Sequence, residues 1–191
     1  METIKANVQL DAKGLACPMP IVKTKKAMTS LEAGQVLEVL ATDKGSRADL
    51  KAWAESTGHQ YLGTIEEGDV LKHFLRKSSG EEQIERKHPN VTENQELVSK
   101  LESNEKIVVL DVREEAEFAF NHIPNAISIP LGDLENNLNK LNQEDQIFVV
   151  CRTGSRSDFA AQILTEKGFK NVFNVVPGMT QWNGPTVSLN S

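Results

Sequence analysis

The second half of this chain alternates short apolar runs with longer stretches of helical character, and that alternation leaves few folds open. Ile107-Val108-Val109-Leu110-Asp111-Val112 and Gln146-Ile147-Phe148-Val149-Val150 are short and rich in β-branched residues, so they read as buried strands. Helices are expected over residues 93–101, 114–120, part of 131–141 and 155–167, with further strands at 126–129 and 172–175. Such repetition predicts a parallel sheet with helices on both faces. Sites in sheets of this kind lie at the carboxyl ends of the strands, and Cys151 stands at such an end.

The first segment has a different order. Val8-Gln9-Leu10 is a short strand, a helix runs from Cys17-Pro18 to about residue 30, and Val36-Leu37-Glu38-Val39-Leu40 is a buried strand. A second helix is expected over residues 47–55. Residues 61–65 and 70–75 then flank the Glu66-Glu67-Gly68-Asp69 turn as a hairpin. The order βαβαββ predicts an α/β sandwich of two layers. Between the segments, Ser78-Ser79-Gly80 and the charged run from Glu81 to Lys87 lack apolar periodicity and read as a linker. The expected organisation is a domain at 1–77, a linker at 78–89 and a domain at 90–191, which a chain of 191 residues accommodates.

Two cysteines occur in the whole chain, and each opens a helix expected from the sequence. The second lies in Cys151-Arg152-Thr153-Gly154-Ser155-Arg156, a tight turn between strand and helix. Such a turn points successive backbone N–H groups inward as an anion cradle, and the helix N-terminus adds positive potential. Arg152 and Arg156 are expected to add fixed positive charge. A thiol placed there is favoured as the thiolate, and the same cradle suits the outer sulfur of a persulfide. A cysteine phosphatase loop would place its arginine six residues after the cysteine. Here Ser157 holds that position and Arg156 precedes it, a smaller loop that fits sulfur better than a tetrahedral oxyanion.

On these residues the second half resembles the rhodanese family, over about residues 90–187. The resemblance extends to Asp111-Val112-Arg113-Glu114, to His122-Ile123-Pro124-Asn125-Ala126 and to Pro177-Gly178-Met179-Thr180-Gln181-Trp182. Asn125 and Pro177 stand where glycine is more usual, departures that affect turns. The resemblance implies that Cys151 carries a persulfide, that residues 151–156 are its cradle, and that Asp111 and Arg113 support it. Read from the residues alone, Asp111 and Arg113 are equally a salt bridge at a strand end.

The first cysteine lies in Cys17-Pro18-Met19-Pro20. Proline suits a first helical turn, so Cys17 is expected at the cap of the helix, with its thiol at the positive end of the dipole and favoured as thiolate. Lys23 and Lys26 share a helix face that either docks an acidic partner or is simply solvated. The stretch from Leu10 to Pro20, with Ala41-Thr42-Asp43 and the closing hairpin, resembles the TusA family of sulfur carriers over about residues 6–77. That resemblance implies the two-layer fold and Cys17 as a persulfide carrier, with Pro18, Pro20, Asp11 and Asp43 shaping its surroundings. By residue type Asp11 and Asp43 read as turn and cap residues.

Together the two resemblances imply a sulfurtransferase that moves sulfane sulfur through cysteine persulfides. Its donors would be thiosulfate, glutathione persulfide or a similar persulfide, and its partners sulfur-donor and sulfur-acceptor proteins. A flexible tether of about 11 residues spans roughly 18 Å, so fusion makes Cys17 a candidate acceptor for sulfur on Cys151. Two alternatives stand beside this: a persulfide-carrying adaptor with little turnover, and a thiol–disulfide switch between the cysteines. No cofactor is expected, since His59, His73, His88 and His122 do not fall at metal-ligand spacings and no glycine-rich nucleotide loop occurs. The net charge of -6 argues against direct nucleic-acid binding. The polar start and the lack of a long apolar run point to a cytoplasmic protein with reduced thiols and no membrane segment.

Overall fold

The computed structural model describes residues 3–78 and 85–189. The chain divides into two compact units, Thr3–Ser79 and Gly80–Ser191.

In the first unit β1 (Val8–Asp11), α1 (Met19–Thr29), β2 (Val36–Ala41), α2 (Ser46–Thr57), β3 (Gln60–Glu67) and β4 (Val70–Arg76) follow the expected order. The sheet order is β1-β2-β4-β3, with β1 parallel to β2 and the other pairs antiparallel. Each helix buries one stripe at four-residue spacing: Pro20, Thr24 and Met28 on α1, and Ser46, Leu50 and Ala54 on α2. Met28, Leu50 and Ala54 pack with Leu37 and Val39 of β2 and Leu75 of β4 into one core.

Under α2 this core holds one imidazole. His73 is fully buried. Ser46 Oγ gives its one proton to Asp43 O at 2.6 Å, so its 2.8 Å contact with His73 Nε2 requires the ring N–H on Nε2. Nδ1 is then an acceptor within reach of the Tyr61 and Thr64 hydroxyls, at 3.0 and 2.8 Å, which also contact each other. Burial, reinforced by the charge of Arg47, lowers the His73 pKa from 6.5 to about 4. The ring is therefore neutral in the native state.

In the second unit β5 (Val91–Glu93), α3 (Asn94–Glu102), β6 (Val108–Asp111), α4 (Glu115–Phe120), β7 (Ile127–Ser128), β8 (Gln146–Val150), α5 (Ser155–Glu166) and β9 (Asn171–Val176) build a sheet of order β5-β9-β8-β6-β7. All its pairs are parallel. Alternate residues of the central strands feed two cores. Leu110, Ile147 and Val149 pack with Ala160 and Leu164 of α5. Val109, Phe148, Val150 and Val175 pack with Leu97 of α3 on the opposite face. The apolar runs in the sequence are continuous because both faces of these strands are covered.

Three expectations change. Residues 91–93 form an edge strand on β9, too short to leave a periodic signal. Residues 131–141 hold two 3-10 turns, Leu131–Asp133 and Glu135–Lys140, rather than an α-helix. Gly132, Asn136, Asn137 and Asn139 are weak helix formers, which explains the shorter turns. Of the expected linker, residues 79–84 lie outside the described residues. Its last part is built into the second unit. The backbone N–H groups of Lys87 and His88 both donate to the Asp158 carboxylate at 2.8–3.0 Å, and His88 Nε2 meets Val172 O at 2.8 Å.

The neutral His73 carries a pH signature. Below pH 6.5 the unfolded chain takes up a proton that the native state refuses until about pH 4, so stability falls across that window as pH drops. Amide-exchange protection factors along β4 will decline from pH 6.5 towards 4, and His73→Gln will flatten that decline.

Candidate active site

Cys151 follows β8 directly and its side chain is 1% exposed. Three residues later Gly154 caps α5, and its N–H donates to Cys151 Sγ at 3.1 Å. Gly154 has a φ of +94°, and a Cβ there would sit 2.9 Å from Val176 Cγ1 and 3.1 Å from Arg86 Nε. Both the conformation and the lack of space require glycine.

The cradle is explained by what happens to its carbonyls. Cys151 O accepts from Met179 N at 2.9 Å. Arg152 O accepts from Thr180 N at 3.0 Å and from Thr180 Oγ1 at 2.9 Å. Thr153 O accepts from Arg86 Nη2 at 2.9 Å, and Gly154 O from Asn174 Nδ2 at 3.0 Å. Four successive carbonyls are thus held by donors outside the loop. In a trans peptide the N–H points opposite to its C=O, so the N–H groups of residues 152–155 face away from those donors. Gly154 N–H, aimed at the sulfur, shows the direction. The turn after β9 that supplies Met179 and Thr180 approaches so closely that a Cβ on Gly178 would lie 2.6 Å from Cys151 O.

A second hydrogen-bond path reaches the sulfur. Ser157 Oγ donates to Asn174 Oδ1 at 2.5 Å and stands 3.2 Å from Cys151 Sγ. The serine proton is already used, so the thiol S–H is the donor to Ser157. Once the thiol has ionised, rotation of the Ser157 hydroxyl turns an acceptor into a donor facing the sulfur. Neither Ser157 nor Asn174 was among the sequence-derived candidates. The available signal was Asn174, a polar residue amid the apolar run of β9.

The arginines depart from expectation. Arg156 is buried and forms a forked pair with Glu117 at 2.7 and 2.9 Å. Its charge is met by that carboxylate and does not add freely to the cradle's potential, because the helix turn carries its side chain towards α4. Glu117 also accepts from Glu114 N at 2.8 Å. Arg152 and Thr153 are half-buried, and Ser155 is buried at the start of α5. Asp111 and Arg113 form a buried ion pair at the end of β6, with Arg113 Nη2 also donating to Asn121 O at 2.7 Å. Burial opposes the Arg113 charge, but Asp111 outweighs it and raises the guanidinium pKa. This is the salt-bridge reading of the two residues.

In the first unit, α1 starts at Met19 with Pro18 at the cap, so Cys17 precedes the cap instead of occupying it. Pro20 is buried in the first turn and its carbonyl accepts from Thr24 Oγ1 at 2.7 Å. Cys17 is exposed, and its N–H donates to Asp43 Oδ2 at 3.2 Å. Asp43 Oδ1 accepts from Gly45 N, and Asp11 Oδ1 from Lys13 N, so both aspartates do turn chemistry. The expected thiolate is not favoured. Interaction with the Asp49 carboxylate, then desolvation and the charges of Asp49 and Asp43, raises its pKa above the ordinary value. The helix end is outweighed by two nearby carboxylates. Asp49 was not singled out from the sequence, where it reads only as an acidic residue in the first turn of α2.

Two outcomes follow from these contacts. With Cys151→Ser as background, Asp49→Asn will lower the Cys17 pKa and speed its alkylation by iodoacetamide at pH 7 by roughly two- to tenfold, one pKa unit being tenfold in thiolate below the pKa. Glu117→Gln will leave Arg156 without its carboxylate and cost about 3–5 kcal/mol in urea denaturation of the second unit.

The comparisons agree with this division of the chain into two chemistries. The family described as Sulfurtransferase TusA matches residues 8–77, and the Rhodanese-like domain family matches residues 93–185. The Bacillus subtilis protein named "Putative sulfur carrier protein YrkF" is 54% identical over 96% of this chain and 99% of its own length. The sulfur carrier protein TusA of Allochromatium vinosum is 48% identical over 37% of this chain and 92% of its own. Among solved structures, the rhodanese-like domain from Anabaena sp. aligns with a TM-score of 0.50 at 27% identity, covering 55% of this chain and 83% of that one. With two family matches in series and a relative of this identity along nearly its whole length, the chain belongs to the family of fused TusA–rhodanese sulfur-carrier proteins.

Proposed function

We propose that this protein is a sulfurtransferase that carries sulfane sulfur as cysteine persulfides, with Cys151 as nucleophile and Cys17 as second carrier. The observation that carries the reading is the outward anchoring of four loop carbonyls around a buried sulfur that receives the Gly154 N–H. The reaction begins with Cys151 as thiolate. It attacks the outer sulfur of thiosulfate, the S–S bond of the donor breaks, and sulfite leaves with the bonding pair. With glutathione persulfide or a protein persulfide the leaving group is the donor thiolate. The product is Cys151–S–S⁻, whose terminal charge is matched to backbone N–H groups and the head of α5.

An acceptor thiolate then attacks that terminal sulfur and Cys151 leaves as thiolate. Cys17 is the acceptor in the same chain, and the transfer can also run from Cys17 to Cys151. Cys17 is held as a thiol by Asp49 and Asp43, so its ionisation calls for a positively charged surface on whatever docks beside it. That observation also favours a second reading, an adaptor that loads from protein partners and turns over small donors slowly. The exposed Met19 and Val22 of α1, next to Lys23 and Lys26, are suited to such docking.

Intact mass spectrometry after incubation with thiosulfate or glutathione persulfide tests this on wild type, Cys17→Ser and Cys151→Ser. Wild type will gain one sulfur atom on each cysteine, and Cys17 will stay unloaded in Cys151→Ser. Independent loading of Cys17 in that variant would exclude the internal relay. Absence of loading on Cys151 with every small donor would favour the adaptor.

A further inference from the structure

We infer that Arg86, from the segment before the rhodanese-like fold, is a positioning residue for sulfur transfer that acts on Cys151 through the Thr153–Gly154 peptide. The inference rests on the reading of Cys151 as the sulfur-bearing residue. Arg86 lies outside the matched residues 93–185, in a stretch whose composition suggests only a tether. Yet its Nη2 donates to Thr153 O at 2.9 Å, and Thr153 O and Gly154 N–H belong to one peptide unit. That N–H is the donor to Cys151 Sγ at 3.1 Å.

Two effects follow from this relay. The first is geometric. A donor fixed on the carbonyl side of a planar trans peptide holds the plane, and so holds the N–H on its far side against the sulfur. Gly154 needs such a restraint, because glycine at a φ of +94° has wide backbone freedom. The second is electronic. A guanidinium on the carbonyl polarises the peptide and makes its N–H a stronger donor, since hydrogen bonds in a chain reinforce one another.

Arg86 is itself held in place. The next two residues, Lys87 and His88, give their backbone N–H groups to Asp158 on α5, whose carboxylate is buried and also accepts from Gln162. Asp158 is four residues after the loop glycine, so the anchor and its target sit on the same helix start. The other three anchored carbonyls take their donors from β9 and the turn after it, within the matched domain. The charges of Arg156 and Arg113 are engaged by Glu117 and Asp111, whereas the Arg86 guanidinium is bonded to the loop peptide whose N–H faces the sulfur.

The test uses the full-length chain with Cys17→Ser as background, and compares Arg86→Ala and Arg86→Lys with it. Two quantities are read: the Gly154 amide resonance in ¹H–¹⁵N spectra, and the rate at which loaded Cys151 passes sulfur to cyanide or a small thiol. Arg86→Ala will move the Gly154 proton upfield and slow transfer by about three- to tenfold, as loss of one hydrogen bond near 1 kcal/mol implies. KM for the donor and the melting temperature will change little, because Arg86 is exposed. Arg86→Lys restores a cationic donor and will recover part of both effects. An unmoved Gly154 resonance with an unchanged rate in Arg86→Ala overturns the inference. So does a lowered melting temperature with a normal rate, which marks a role in stability alone. If Cys151 gains no sulfur in the background chain, the functional reading fails, while the Gly154 resonance still decides whether Arg86 sets that peptide.

Discussion

The second unit depends on the direction of four peptide carbonyls. A buried sulfur with the role proposed for Cys151 needs compensating dipoles, and backbone N–H groups supply them only if their carbonyls are satisfied elsewhere. Met179, Thr180, Asn174 and Arg86 meet that condition from three different parts of the chain. The rest of the site follows from it. Gly178 is small because the anchoring turn approaches to contact distance, and Gly154 is small because Val176 and the Arg86 anchor converge over it. The buried Arg156–Glu117 pair ties the start of α5 to α4, so the floor on which the loop rests is fixed as well.

The first unit handles its thiol in the opposite way. Cys17 is exposed, its backbone is tied to Asp43, and the carboxylates of Asp49 and Asp43 raise its pKa. Where the second unit gathers dipoles that welcome a negative charge, the first surrounds the sulfur with groups that resist one. In the proposed relay, a thiol of this kind stays quiet in solvent and becomes nucleophilic when a cationic surface offsets the carboxylates. The buried His73–Ser46–Asp43 chain makes the arrangement rigid, since Asp43 is held from behind by the same serine that bonds the neutral imidazole.

Much of this was legible in the sequence. The strand–helix alternation, the hairpin and the two cysteine motifs carry strong local signals, because apolar periodicity and proline or glycine placement act within a few residues. The parts that escaped are contacts made across the fold. Nothing local marks Arg156 as the partner of a glutamate 39 positions earlier, so its charge reads as free. Cys17 before a proline reads as a favoured thiolate until Asp49, far away in sequence, is folded against it. Ser157 and Asn174 look like ordinary polar residues until both are found at one sulfur. Residues 86–88 read as a tether because their partners lie about 70 or more positions away, and the backbone N–H bonds of Lys87 and His88 leave no trace in side-chain type.

That last point changes where the second module begins. The matched family starts at residue 93, but a fragment cut there would strip two N–H donors from a buried carboxylate and remove the clamp on Thr153. The set of contacts that holds the loop therefore reaches back at least to Arg86. The limit of the family match and the limit of the physical module thus differ by the seven residues 86–92.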